Sequence, residues 1–266
     1  MRLDQLLVAK KKFTSRSKAQ AAIKEGHVFL PDGKVLKKPA LDLSESTNLI
    51  VRDQDPYVSR GAYKLLKAID LFEINYQNQV VLDIGASTGG FTQVALNHGA
   101  KKVFALDVGS NQLDPVIAQD SRVVVIENYN FRYAKPEDFP VEKFDLIQCD
   151  VSFISLNYII KPAAQLLKPD GQAVFLIKPQ FEAGREFVSK HGVVKNQKVV
   201  LAVLKRILTT LFDSQLRVNG LTFSPIKGQQ GNIEFLVLAG QTGQFENHYS
   251  EADLKQLIQR AVKELN

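Results

Sequence analysis

The chain has 266 residues, 45% hydrophobic and 23% charged, so a sizeable core is available and no metal or disulfide is needed to support a small one. A lone cysteine, Cys149, excludes an intrachain disulfide and suits a reducing compartment, while the longest apolar candidate, Ala173 to Ile177, ends at Lys178, far short of the ~20 residues that cross a bilayer. The formal net charge is +6, and residues 1–60 alone hold 12 Lys and Arg against 7 Asp and Glu, which predicts a polyanion-binding module on a nearly neutral body.

In chain order, the opening Met1-Arg2-Leu3-Asp4-Gln5 is unlike a signal peptide, and the protein is expected to be cytoplasmic. Leu3, Leu6 and Leu7 have helical spacing. After Lys10-Lys11-Lys12-Phe13, the run Thr14-Ser15-Arg16-Ser17 offers N-caps for a second helix through Ala19, Ala22 and Ile23, stopped by Gly26. Short β pieces follow at His27 to Leu30 and Val35-Leu36, joined by a Pro31-Asp32-Gly33 turn, and then at Asn48 to Val51. The polar stretch Asp53-Gln54-Asp55-Pro56 marks a boundary: a domain over 1–55, a linker over 56–59 and a second domain over 60–266.

From Val80 the pattern becomes short apolar strands alternating with amphipathic helices. Strands are predicted at 80–84, 102–106, 123–126, 145–149 and 173–177, and helices at 91–97, 112–118, 156–167 and 198–210. Such alternation specifies a mostly parallel sheet covered on both faces. Strands at 217–223 and 233–238, with no long helix between, read as an appended antiparallel pair, and a final helix, 251–265, is capped by Ser250.

The strongest local signal is Val80-Val81-Leu82-Asp83-Ile84-Gly85-Ala86-Ser87-Thr88-Gly89-Gly90-Phe91-Thr92, an apolar strand entering a turn of small residues that opens a helix. The dinucleotide spacing G-x-G-x-x-G is not matched. Asp83 at the strand end can accept from an ammonium or orient the loop, and Asp107, ending the next strand, can accept from a ribose diol. Together they indicate a nucleoside bearing an amino acid, a description that S-adenosylmethionine meets. Asn130 and Arg132, after the third strand, are placed near its adenine.

Four more ionisable residues stand at element ends: Lys64 early in a helix, Asp150 and Lys178 ending strands, and Glu234 beginning the last strand, which runs opposite to its neighbours. Strand C-terminal ends in an open α/β sheet share one rim, where ligands bind. A ribose hydroxyl is a poor nucleophile and needs a base or an adjacent cation. Lys178 is the candidate, its proton affinity lowered by desolvation and by Lys64 nearby, either abstracting the proton or stabilising the developing oxyanion. Asp150 orients Lys178, and Glu234 holds Lys64 or the ribose.

This Lys-Asp-Lys-Glu order resembles the tetrad of ribosomal-RNA 2′-O-methyltransferases of the FtsJ-like fold. With Ser15-Arg16, Gly26-His27-Val28, Asp32-Gly33-Lys34-Val35 and Lys38-Pro39 similar to an S4 RNA-binding domain, and the blocks SRGAYKL, LDIGASTGGFT, ALDVGSNQL, CDVSFISL, LIKPQFE and GNIEFL, nearly the full chain resembles the hemolysin-A (TlyA) family. The resemblance implies a Rossmann-like class I methyltransferase sheet with an antiparallel last strand, preceded by a small α+β S4-like domain. It implies S-adenosylmethionine as cofactor, Lys64, Asp150, Lys178 and Glu234 as catalytic residues, no metal, and cytidine in ribosomal RNA or ribosomal subunits as substrate. The cofactor set is Asp83, Gly85, Ala86, Ser87, Thr88, Gly89, Gly90, Phe91, Asp107, Asn130 and Asp150.

Lys10, Lys11, Lys12, Arg16, Lys18, Lys34 and Arg60 are the expected RNA contacts, positioning phosphates and not reading bases. Phe13 and Phe29 are assigned to packing, and the histidines His27, His98, His191 and His248 share no metal-ligand spacing. Two rivals weigh against this reading. A dinucleotide oxidoreductase would need the G-x-G-x-x-G fingerprint, which is missing. An RNA-binding protein without catalysis, or a membrane-lytic one, would not need four polar residues in this order.

Overall fold

The computed structural model describes residues 1–51, 56–241 and 249–265; the boundary residues Asp53 to Asp55 and His248 lie outside them. The chain divides into two compact units, Met1–Pro56 and Tyr57–Asn266.

In the smaller unit, α1 (Leu3–Ala9) and α2 (Arg16–Glu25) precede a short antiparallel pair, β1 (Val28–Phe29) and β2 (Ile50–Val51). Ser15 caps α2 by accepting from Lys18 N–H, and Gly26 ends it in the left-handed region. Leu3, Leu6, Leu7, Ala19, Ile23, Val28, Leu36 and Leu49 form its core, with Phe13 packed against them. Asp4, in the first turn of α1, is fully buried and accepts from Arg2, from Arg16 at 3.1 Å and from Gln20 at 2.6 Å. Those donors hold its carboxyl far below the usual carboxylate range. Periodicity could not show this, because Asp4 sits on the apolar stripe and is tolerated there only with its partners.

The larger unit opens with α3 (Ala62–Phe72). It continues through β3 (Val80–Ile84), α4 (Gly90–Asn97), β4 (Lys102–Leu106), α5 (Pro115–Ala118), β5 (Val123–Ile126), β6 (Phe144–Cys149), α6 (Ile160–Leu166), β7 (Leu167–Ile177), α7 (Pro179–Glu182), α8 (Gln197–Asp213), β8 (Arg217–Phe223), β9 (Phe235–Gly240) and α9 (Glu251–Leu265). Among the described residues the sheet order is β5-β4-β3-β6-β7-β9-β8, parallel from β5 to β7 and antiparallel at β7–β9 and β9–β8. One core lies on each face, led by Phe104, Phe144 and Phe175 on one side and Phe91, Leu65 and Leu236 on the other. No helix of the described residues is long and apolar enough to cross a membrane.

Two helices differ from expectation, both because of proline. The helix predicted at 112–118 shrinks to α5: Pro115 takes the first helical position behind the Asp114 cap, and the residue before a proline disfavours helical backbone. The helix predicted over 156–167 splits into a 3-10 turn, Leu156–Tyr158, and α6, since Pro162 has no N–H to donate and fits only a first turn. The last strand starts at Phe235, so Glu234 stands immediately before it. Tyr57 and Val58, expected in a linker, pack against the larger unit, and Val58 N–H donates to Gln93 at 2.7 Å.

Candidate active site

The rim of the sheet is built by backbone geometry. Gly85 follows β3 with φ +82°, and a Cβ there would lie 2.8 Å from the Asp150 carbonyl oxygen, so only glycine lets the loop after β3 press against the end of β6. Asp150 N–H donates to the Ile84 carbonyl at 3.0 Å, which fixes the two loops side by side. Across the sheet Ile177 is in register with Phe235, so Lys178 and Glu234, one residue beyond each, emerge at the same end.

Two ion pairs occupy that rim. Lys178 Nζ lies 2.6 Å from Asp150 Oδ1 and donates to Ser152 Oγ at 2.8 Å. Lys64 Nζ donates to Glu234 Oε2 at 2.7 Å, and Gln180 donates to Glu234 Oε1 at 3.1 Å. Both lysines are only 8% exposed. Gly61, at the start of α3, stands against Asp150, since a Cβ at Gly61 would lie 3.6 Å from Asp150 Oδ2; Lys64 is one turn further on. The structure thus brings Lys64, Asp150, Lys178 and Glu234 together from a helix start and three strand ends.

Beside them, Asp107 Oδ2 accepts from Ser87 N–H and Oδ1 from Gly109 N–H, each at 2.8 Å, so its carboxylate ties the loop after β3 to the loop after β4. Each oxygen keeps a lone pair for a further donor. Ala86, Ser87, Asp107, Gln112, Leu113 and Val125 line a cleft there. Asp83 is fully buried and not at the surface of the rim; Thr92, in the first turn of α4, donates to its Oδ2 at 2.5 Å, while Oδ1 is buried with no hydrogen-bond partner among the described residues. Asn130 caps the 3-10 turn Phe131–Tyr133 by accepting from Arg132 N–H, and Arg132 lies 4.1 Å over the Tyr158 ring.

Known proteins resemble this chain over nearly its full length. The model of the FtsJ-like methyltransferase family matches residues 57–241, and that of the S4 domain matches residues 1–49. Hemolysin A of Brachyspira hyodysenteriae is 44% identical over 89% of this chain and 98% of its own. The 16S/23S rRNA (cytidine-2'-O)-methyltransferase TlyA of Mycobacterium tuberculosis is 39% identical over 99% of this chain and 97% of its own. A solved structure from Streptococcus thermophilus, carried under the name hemolysin, superposes with a TM-score of 0.78 at 41% identity, covering 99% and 96% of the two chains.

The chain belongs to the hemolysin-A (TlyA) family of FtsJ-like methyltransferases.

Within this methyltransferase, several supporting residues escaped sequence reasoning although they lie in the quoted blocks. Ser152 holds Lys178 and Gln180 holds Glu234. Glu182 is buried; it accepts from Ser155 Oγ and from Leu156 N–H, each at 2.7 Å, and pairs with Arg206 at 3.2 Å. It thereby fastens the loop after β6 to α7. The available signal was position, because Gln180 and Glu182 sit in the turn that Pro179 starts right after Lys178. Phe153 is 89% exposed with φ +65°, a backbone that bulky side chains avoid, and its ring meets that of Phe181 in a tilted contact, centroids 4.9 Å apart, beside Lys178.

Of the expected RNA contacts, Lys10, Lys11, Lys12, Lys18, Lys34 and Arg60 are exposed, whereas Arg16 is half engaged by Asp4. Cys149 is buried, its thiol pushed up by desolvation, which leaves it inert. His98 bonds the Val94 carbonyl and His27 lies 3.7 Å from Glu25, so both have local roles.

Burial pushes the Asp83 carboxyl up to about 7, the Thr92 hydroxyl opposing the shift and the charges of Asp150 and Asp107 adding to it. The folded state therefore keeps a proton that the unfolded chain has lost above its ordinary value of 3.8. Stability from this group is complete below that value and is lost as pH rises to about 7, with an upper bound of roughly 4 kcal/mol. Asp83→Asn, which still accepts from Thr92, is expected to remove this slope in cofactor-free protein. Denaturant unfolding at pH 5 and pH 8 checks it; parallel losses in both proteins would show that Asp83 is not the group responsible.

Proposed function

We propose that this methyltransferase transfers a methyl group from S-adenosylmethionine to a ribose 2′-hydroxyl in ribosomal RNA, with cytidine as the nucleoside. The observation that carries the reading is the pairing of Lys178 with Asp150 and of Lys64 with Glu234 on the rim that also holds the Gly85 loop. The name of the Mycobacterium tuberculosis relative supports the substrate and the position modified.

The residues present fit the cofactor. A buried, unpartnered Asp83 oxygen, a close-approach glycine at 85, small residues from Ala86 to Gly90 and a strand-end carboxylate at 107 suit an amino-acid-bearing nucleoside. Gly85, Ala86, Ser87, Thr88, Gly89, Gly90 and Phe91 would hold it, with Asp83 supporting the loop from beneath and Asp107 and Asp150 at the strand ends. When bound, S-adenosylmethionine supplies an electrophilic sulfonium methyl, and loss of that methyl leaves a neutral thioether.

The chain's own residues handle the proton. An ammonium has three N–H donors. At Lys178 one donates to Ser152, the Asp150 carboxylate lies 2.6 Å away as an ion pair, and another meets the substrate oxygen. In its neutral form the same nitrogen takes the hydroxyl proton as the O–CH₃ bond forms, and Asp150 stabilises the ammonium produced. Lys64, held by Glu234, which Gln180 holds in turn, adds a fixed positive charge against the developing oxyanion. Phe153 offers a ring face to a base unstacked from the RNA. Exposed lysines of residues 1–49 grip phosphates.

Transfer of labelled methyl to ribosomal RNA from cells lacking the protein, followed by mapping of 2′-O-methyl marks, tests this. A mark at one or a few cytidines is expected. Label in a base, or in no RNA, would overturn the reading.

A further inference from the structure

Between residues 185 and 198 the chain carries Arg185, Lys190, Lys195 and Lys198 against a single acid, Glu186. All four cations are exposed, and none is ion-paired among the described residues. Arg122 pairs with Asp120, Lys168 with Asp145, and Lys205 and Lys255 with Glu251, while other exposed cations of the larger unit, such as Lys101, Lys102 and Lys161, stand singly or in twos without an ion pair among the described residues. A local run of unmatched positive charge is an electrostatic footprint for a polyanion.

This run is built into a defined turn. Ser189 N–H donates to the Val193 carbonyl at 3.0 Å, Gly192 N–H to the Ser189 carbonyl at 2.8 Å, and Val193 N–H to Ser189 Oγ at 3.1 Å, which projects Lys190 and His191 at the tip. Gly192 has φ +76°, and a Cβ there would collide with the Gln230 side chain, so the turn lies directly against the segment before β9.

One buried side chain joins the two. Asn232, 1% exposed, donates from Nδ2 to the Gly192 carbonyl at 2.7 Å and accepts at Oδ1 from Val194 N–H at 3.0 Å. Its own carbonyl accepts from Gly228 N–H at 2.9 Å, and Gly228 stands against the Glu234 carboxylate. Two residues after Asn232, Glu234 holds Lys64. The amide thus mimics a strand partner for 192–194 while fixing the segment that delivers a tetrad acid.

We propose that the 189–195 turn is a clamp on the phosphodiester backbone of the substrate RNA, with Lys190 and Lys195 as its phosphate contacts, and that Asn232 is the positioning residue that sets the clamp in register with Glu234. The proposal rests on the RNA reading above. It adds a second electropositive surface to the one expected at the start of the chain, tied through Asn232 to the segment that carries Glu234.

The full-length protein, the Lys190→Gln/Lys195→Gln variant and Asn232→Ala are compared for binding to and methylation of unmodified ribosomal RNA across a salt series. The double lysine variant is expected to bind with a log Kd against log salt slope smaller by about two, its loss falling on KM for RNA more than on kcat. Asn232→Ala is expected to move both, raising KM and lowering kcat several-fold, because clamp and Glu234 shift together. A double variant with the wild-type salt slope, in a protein whose parent methylates the RNA, overturns the clamp alone. Loss of kcat in Asn232→Ala with KM unmoved overturns the coupling. A parent that transfers no methyl to RNA brings down this proposal together with the reading beneath it.

Discussion

Lys178→Ala is expected to lose about 10³-fold in methyl transfer while binding S-adenosylmethionine nearly as well as the parent chain. The side chain supplies both the proton acceptor and the local positive charge, and nothing beside it can replace them: Lys64 is committed to Glu234, and Ser152 is a weak base. Folding is not the source of the loss, since Asp150, its side chain 20% exposed, can take water in place of the ammonium. Lys178→Arg separates the two roles. Guanidinium keeps the charge but does not surrender a proton near neutral pH, so an arginine variant as inactive as alanine marks Lys178 as the base. An active arginine variant marks it as an oxyanion stabiliser. Undiminished turnover in the alanine variant would remove Lys178 from the chemistry altogether. Single-turnover transfer and cofactor titration read the two quantities independently.

Removal of residues 1–55 is expected to weaken RNA binding about a hundredfold near physiological salt, with cofactor affinity unchanged. The exposed Lys10, Lys11, Lys12, Lys18 and Lys34 go with that segment, and with fewer phosphates neutralised the salt dependence becomes shallower. The larger unit keeps its own two-faced core, including Tyr57 and Val58, so the shortened chain has what it needs to fold. Filter binding at several salt concentrations, beside calorimetry with the cofactor, makes the comparison. Equal RNA affinity with and without residues 1–55 would place the grip elsewhere, and the 189–195 turn would be the first surface to test.

Much of the site was legible because it is written in short, contiguous patterns. An apolar strand ending in Asp83 and opening into small residues has few other uses, and Gly85 proved necessary for the close approach to Asp150. Strand ends marked Asp150 and Lys178, since a polar residue closing an apolar run must reach solvent or a partner. Helix limits were less readable where proline intervened: Pro115 and Pro162 moved two starts, because a missing N–H and a ring clash act at one residue, whereas periodicity averages over many.

Residues that support the site from a distance were hidden for a different reason. Asn232 and Glu182 are polar residues whose partners lie 38 to 40 and 24 to 27 positions away. Asp4 meets Arg16 and Gln20 from 12 and 16 positions away, on what reads as the apolar stripe of a helix. A carboxylate or amide in the core is recognisable only when its donors can be seen.

By itself the sequence determined the elements, their order, the family blocks and the four charged residues at element ends, since periodicity, turn chemistry and strand-end polarity are local properties of the chain. Only the tertiary structure decided who pairs with whom. An antiparallel β9 beside β7 brings Lys178 and Glu234 to the same end of the sheet, and the start of α3 against Asp150 brings Lys64 within reach of Glu234. Ion pairs are made by three-dimensional proximity and burial, and neither is a property of any segment alone.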